Sequence, residues 1–295
     1  MSVSNTIAII CDFDDTLGDD TTDLLLKEKF GMNEEEIISF WNKDVRKLVK
    51  QGWDPPLAYI HLILNRLRKS KLTLSNSDLR DLGKKVHLFP GVQDLFPRLG
   101  SFVGESKEFL EAHVQIEFYV ITAGFEEIIR GTSIATEMTD IFGCTFDDSA
   151  GGLIPKSVVT FTEKTKFLYA INKGISGSEL RRNPYSVNDV VEKDKRRIPF
   201  SNMIYLGDGP TDIPCFSTIA QNGGKTIGVL KYEKKTGKKI VDKRRAWAIA
   251  IGDRDRATVG PYLPNYTEDS DLYANLLLQV DIVALGIVDS FMRRE

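Results

Sequence analysis

Two acidic clusters have the residue types and spacing to do chemistry. Asp12-Phe13-Asp14-Asp15-Thr16 directly follows an apolar run, Ile7-Ala8-Ile9-Ile10-Cys11. Carboxylates crowded at the end of a buried segment repel one another unless a cation or a raised pKa resolves the conflict. The second cluster, Gly207-Asp208-Gly209-Pro210-Thr211-Asp212, follows another apolar run, Met203-Ile204-Tyr205-Leu206. Its glycines permit a tight turn that aims backbone and carboxylates into one space. Hard oxygen ligands without His or Cys suit Mg2+, which is held by one or two carboxylates together with waters and substrate phosphate. Such an ion neutralises the acids and clamps a phosphoryl group. Thr122, with Ala123-Gly124 behind it, offers a hydroxyl and backbone N–H groups to a phosphate oxygen. Lys164 opens a helical pattern whose inward face is Phe167, Leu168 and Ile171, and it can offset negative charge. Lys166 competes for that role, because the register of a helix start shifts by a residue or two.

These groups need elements that bring them together. Four short apolar runs end in polar residues: 7–11 before Asp12, 118–121 before Thr122, 203–206 before Gly207-Asp208, and 225–229. Little polar alternation and many β-branched or aromatic residues mark strands buried on both faces of a parallel sheet. Helical patterns between them, 125–138 and 164–173, supply the crossovers. The fold class expected is α/β. Open α/β sheets place ligands beyond the carboxyl ends of their strands, so the strand-end polar residues are expected to share one edge.

The stretch 18–87 breaks this alternation and contains no strand pattern. Thr22 is expected to cap a first helix, Asn33 with Glu34-Glu35-Glu36 a second, Asp54-Pro55-Pro56 a third and Ser75 a fourth. Leu88-Phe89-Pro90-Gly91-Val92 returns the chain to the sheet. The segment reads as a helical lid, with Trp41, Trp53 and Tyr59 mainly in its core. Residues 174–199 and the basic stretch 232–245 read as surface insertions.

DFDDT, the threonine of ITAG, the helix-start lysine and GDGPTD, in this order from Asp12 to Asp212, resemble the four motifs of the haloacid dehalogenase superfamily of phosphohydrolases. The segment around Thr122 is similar to the phosphoserine-phosphatase-like branch. The resemblance implies a Rossmann-like parallel core, 1–17 with 88–295, and an inserted all-helical cap, 18–87. It implies Asp12 as nucleophile and Asp14 as general acid and base, with Thr122, Ala123 and Lys164 binding the phosphoryl group. It also implies Mg2+ on Asp12, Asp14 (through its carbonyl) and Asp208, with Asp212 behind them. Family dehalogenases lack an aspartate two positions after the nucleophile, so Asp14 favours phosphoryl transfer. The expected activity is hydrolysis of a small phosphate monoester through an aspartyl phosphate. A phosphomutase using the same aspartates and a receiver-like signalling domain are the alternatives.

Composition narrows the partners. The formal net charge is -3, which supplies no global basic field for nucleic acid or an anionic membrane. No uninterrupted apolar run approaches the roughly 18 residues that span a bilayer. Three widely separated cysteines, Cys11, Cys144 and Cys215, form neither a disulfide framework nor a zinc spacing, and a cytoplasmic setting is expected. His61, His87 and His113 are scattered and read as packing or surface residues. The expected partner is a small phosphorylated metabolite.

Overall fold

The structure, a computed structural model, describes residues 4–149, 152–230, 232–235, 238–241 and 259–293. Its strands are β1 (Thr6–Cys11), β2 (Gln115–Phe125), β3 (Asp140–Asp147), β4 (Ile154–Ser157), β5 (Met203–Gly207), β6 (Lys225–Val229), β7 (Tyr232–Lys235), β8 (Lys238–Val241) and β9 (Val259–Tyr262). Its helices are α1 (Thr21–Phe30), α2 (Glu34–Ser39), α3 (Arg46–Lys50), α4 (Pro55–Ser70), α5 (Asn76–Gly83), α6 (Val92–Glu105), α7 (Lys107–Glu111), α8 (Glu126–Arg130), α9 (Glu163–Lys173), α10 (Gly177–Arg182), α11 (Ile213–Gln221) and α12 (Asp271–Met292). A π-helical turn, Phe40–Val45, joins α2 to α3.

Seven strands form one sheet in the order β4-β3-β2-β1-β5-β6-β9, and β7 pairs with β8 as a separate antiparallel hairpin. All neighbours in the large sheet run parallel except β3 and β4. This is the α/β architecture expected from the four apolar runs, with the Rossmann-like parallel core that the resemblance implies. Successive residues of β1 point to opposite faces, as strand pleating requires. Ala8 and Ile10 enter one core with α9, α11 and the helices of 21–83. Ile7, Ile9 and Cys11 enter the other, against α6, α7 and α12. Strand β1 is buried along its whole length and apolar from Ile7 to Cys11, so the acidic chemistry comes only beyond its carboxyl end.

Between Gly18 and His87 the regular elements are all helices. Asp20, rather than Thr22, caps α1, accepting hydrogen bonds from the backbone N–H groups of Thr22 and Asp23. Asn33 and Ser75 close capping boxes with Glu36 and Asp78 at the starts of α2 and α5. The helical segment begins beyond Gly18 and ends before Leu88, and these two positions pair as an isolated antiparallel bridge. The apolar core of these helices is continuous with one sheet face, Leu25, Tyr59, Leu79 and Leu82 joining Tyr119 and Phe125. Helix α5 is tied down further, with Arg80 paired to Glu127 and Asn76 Nδ2 donating to the Phe146 carbonyl at 3.0 Å.

Several expectations are corrected. The second strand does not end at Thr122 but runs on to Phe125, and the helix expected over 125–138 shrinks to α8. Strand β3 then follows where no strand was expected. Gly143 within it passes so close to Glu126 that a Cβ would sit 3.0 Å from that residue's backbone. Trp53 is 39% exposed rather than core. Helix α12 is long and apolar enough to cross a membrane by length and composition, contrary to the reading of uninterrupted runs. Asp281 and Asp289 interrupt its apolar residues in the sequence. Here α12 packs Leu272, Leu276, Val280, Val283 and Ile287 against the sheet. The 174–199 insertion is only partly superficial. Val190 is 97% exposed, but Leu180 and Ile198 are buried and Arg181 bonds Glu126 at 3.2 Å. Of the 232–245 stretch, β7 and β8 are seen, and the remainder lies outside the described residues.

Candidate active site

The carboxyl ends of β1, β2 and β5 lie side by side, and the first turn of α9 brings Lys164 to them. Strand β1 delivers Asp12, whose N–H donates to the Leu206 carbonyl at 2.9 Å, locking the turn to β5. Strand β5 delivers Asp208, and the short helical turn Pro210–Asp212 brings Asp212 back towards the strand. Gly207 is needed for that return, since a Cβ there would meet the Asp212 carboxyl carbon at 2.5 Å. Oxygens of Asp12, Asp208 and Asp212 all come within 4.8 Å of one another.

Lys164 lies in the first turn of α9 and is fully buried. Its Nζ stands 2.9 Å from Asp12 Oδ1 and 2.7 Å from Asp212 Oδ1. Lys166, the competing lysine, points elsewhere, pairing with Glu163 at 2.6 Å and lying over the Phe167 ring. Burial alone would lower the pKa of Lys164, but Asp12 and Asp212 outweigh it and hold the amine charged. Asp12 stands well above the ordinary carboxylate range, because burial, Asp212, Asp208 and Asp14 together overcome the opposing pull of Lys164. One ammonium among three converging carboxylates leaves an excess of negative charge in a buried place. That donor set, all carboxylate oxygen, fits a hard divalent cation such as Mg2+.

Asp14 sits just outside this triad. Its Oδ1 accepts the Thr21 N–H at 2.7 Å, at the start of α1. Its Oδ2 is close to the backbone at Gly124, where a Cβ would approach it to 2.6 Å. Thr122 is buried on β2, and its Oγ1 accepts the Gly124 N–H at 2.9 Å. Thus Asp12, Asp14, Thr122, Ala123, Lys164, Asp208 and Asp212 gather at one sheet edge. None of the three histidines contributes to the acidic triad. Cys11, Cys144 and Cys215 are buried free thiols.

Tyr205 was not anticipated. Its hydroxyl donates to Asp212 Oδ1 at 2.7 Å, deep in the core. Burial, with Asp212 next, pushes its pKa far up, so it acts as a neutral donor. With Lys164 on the same oxygen and the Gly209 N–H on Oδ2 at 3.1 Å, Asp212 is held from three sides. A signal was available in the sequence, because a tyrosine in an otherwise aliphatic buried strand must find a partner for its hydroxyl.

No family model matches the chain. An uncharacterised protein of Borreliella burgdorferi is 28% identical over 295 residues, covering 91% of this chain and 94% of that one. Among solved structures, a HAD family hydrolase from Salmonella enterica serovar Typhi overlaps with a TM-score of 0.47 at 14% identity, over 77% of this chain. This chain spans 63% of that hydrolase. A probable phosphoserine phosphatase from Vibrio cholerae gives 0.48 at 14% identity, over 97% of this chain and 68% of that one. An Archaeoglobus fulgidus protein gives 0.42 at 14% identity, over 96% of each chain.

Proposed function

We propose that the protein is a Mg2+-dependent phosphatase that hydrolyses a small phosphate monoester through an aspartyl phosphate on Asp12. The observation that carries this reading is the buried lysine. Lys164 holds Asp12 in place within an acidic triad that retains negative charge after pairing. Asp14 and Thr122 stand beside it, on the side of the helical segment 18–87.

The residues divide the reaction as follows. An Asp12 carboxylate oxygen bonds to phosphorus as the ester P–O bond breaks, and Asp14 gives its proton to the departing oxygen. Asp14, now a carboxylate, takes a proton from water. The water oxygen bonds to phosphorus as the Asp12–phosphorus link breaks, releasing inorganic phosphate and restoring both carboxyl groups. The Thr122 hydroxyl, the Ala123 N–H and the Lys164 ammonium bind the non-bridging oxygens. Mg2+ would be held by Asp12, Asp208 and the Asp14 carbonyl, with Asp212 behind them, and supplies charge neutralisation at the phosphoryl group. Residues 18–87 act as a cap that limits water and shapes the space for the leaving group, within a cytoplasmic enzyme of small metabolites.

Phosphate release from p-nitrophenyl phosphate and from a panel of phosphorylated metabolites tests the reading. Asp12→Asn abolishes turnover with the fold intact, because an amide cannot form the acyl phosphate. Asp14→Asn slows it, most for poor leaving groups. Wild-type rates in purified Asp12→Asn overturn the mechanism.

A further inference from the structure

The phosphate-binding segment of β2 is held less by the sheet than the rest of the strand. Pairing between β2 and β3 runs through Ile121, breaks, and resumes at Phe125. Thr122, Ala123 and Gly124 therefore depend on other bonds for their orientation. One bond comes from the core, where Cys144 Sγ donates to the Ala123 carbonyl at 3.1 Å. Another comes from the helical segment, where the Tyr59 hydroxyl of α4 donates to the same carbonyl. The thiol is a weak donor and the phenol a strong one.

The Ala123 carbonyl and the Gly124 N–H belong to one planar trans peptide, so fixing one end fixes the direction of the other. The Gly124 N–H donates to Thr122 Oγ1 at 2.9 Å. That occupies a lone pair of the threonine oxygen and restricts where its own proton can point. The hydroxyl proton is then what the threonine offers to a bound oxyanion. Gly124 cannot be replaced without disturbing this, because a Cβ would lie 2.6 Å from Asp14 Oδ2 and 3.2 Å from Thr122 Oγ1. Tyr59 is itself well seated. It is 6% exposed, with its ring 5.5 Å from Trp41 and 6.3 Å from Phe125. Trp41 is fixed in turn by a 2.6 Å bond from Nε1 to Asp23.

We infer that Tyr59 is a positioning residue that couples the seating of the helical segment to the phosphate-binding hydroxyl of Thr122, through the Ala123–Gly124 peptide. The chain of contacts runs from the α4 hydroxyl to the Ala123 carbonyl, across the peptide to the Gly124 N–H, and on to Thr122 Oγ1. The inference rests on the phosphatase reading and extends it. With α4 seated, the threonine hydroxyl is aimed at the phosphoryl group. With α4 displaced, the Ala123 carbonyl is held by the weak thiol donor alone and the hydroxyl loses its direction.

The test is Tyr59→Phe, which keeps the ring and removes the hydroxyl. Kinetics with p-nitrophenyl phosphate are measured beside the affinity for inorganic phosphate by calorimetry, both in Mg2+. Expected is a loss of about tenfold in phosphate affinity and in kcat/KM, the size of one hydrogen bond. In a Thr122→Val background, Tyr59→Phe has no further effect, since it acts through that hydroxyl. Two results overturn the inference: unchanged phosphate affinity and kcat/KM in Tyr59→Phe, whatever its thermal stability, or an equal loss in both backgrounds. Wild-type protein that neither releases nor binds phosphate overturns the phosphatase reading itself. An active wild type with an indifferent Tyr59→Phe overturns only the role of Tyr59.

Discussion

Replacing Lys164 by Met keeps most of the side-chain length and removes the charge between two buried carboxylates. At 2.7 Å from Asp212, the contact is worth about 6 kcal/mol of Coulomb attraction at an effective dielectric of about 20, and Asp12, at 2.9 Å, adds to it only to the extent that it is ionised. Desolvation of the ions cancels much of this, and measured costs of breaking a buried pair from one side are about 3–5 kcal/mol. That is the destabilisation expected in metal-free protein, read from the midpoint of urea unfolding with an unchanged m-value. The acids relieve part of the cost by taking up a proton. The deficit is therefore larger at pH 8 than at pH 5. In Mg2+ the loss of turnover is about 100- to 1,000-fold, as for other preorganised donors to a developing oxyanion. Lys166→Met is the matched control, since its pair with Glu163 is partly exposed and worth about 0–1 kcal/mol. Equal effects of the two substitutions on stability and turnover refute the assignment of Lys164.

Two further outcomes are expected. The raised pKa of Asp12 means that the metal-free native state binds more protons than the unfolded chain above the unfolded value near 4, so its stability falls as pH rises, by up to about 1.4 kcal/mol per pH unit for one group. Saturating Mg2+ reverses this trend and Asp208→Ala weakens the reversal, as thermal melts at several pH values will show; a metal-free stability that rises from pH 5 to pH 8 contradicts it. Exchange of the exposed Trp53 and Leu57 in the helical segment alters preference within a panel of small phosphate esters more than the rate with p-nitrophenyl phosphate. Unchanged preferences, together with lost action on a phosphoprotein, would make the segment a docking surface instead.

Much of this molecule is legible in the chain itself. Apolar runs of five or so residues ending in Asp12, Thr122 and Asp208 identify buried parallel strands, because strands covered on both faces leave no room for polar alternation. Parallel strands share a carboxyl edge, so the acids converge wherever such a sheet forms. The capping residues Asn33 and Ser75 announce their helices for an equally local reason, the unmet N–H groups of a first turn. Other features depend on contacts distant in sequence. The choice of Lys164 over Lys166 depends on the rotation of α9 against the sheet, since two residues along a helix differ by about 200° around its axis. Strand β3 carries no clean apolar run, and only pairing with β2 and β4 makes it a strand. The bond from Tyr205 to Asp212 depends on a turn that folds back, and the bond from Tyr59 to Ala123 joins residues 64 positions apart. Local patterns report what a segment must bury, whereas the partner of each buried polar group is decided by which elements pack against it.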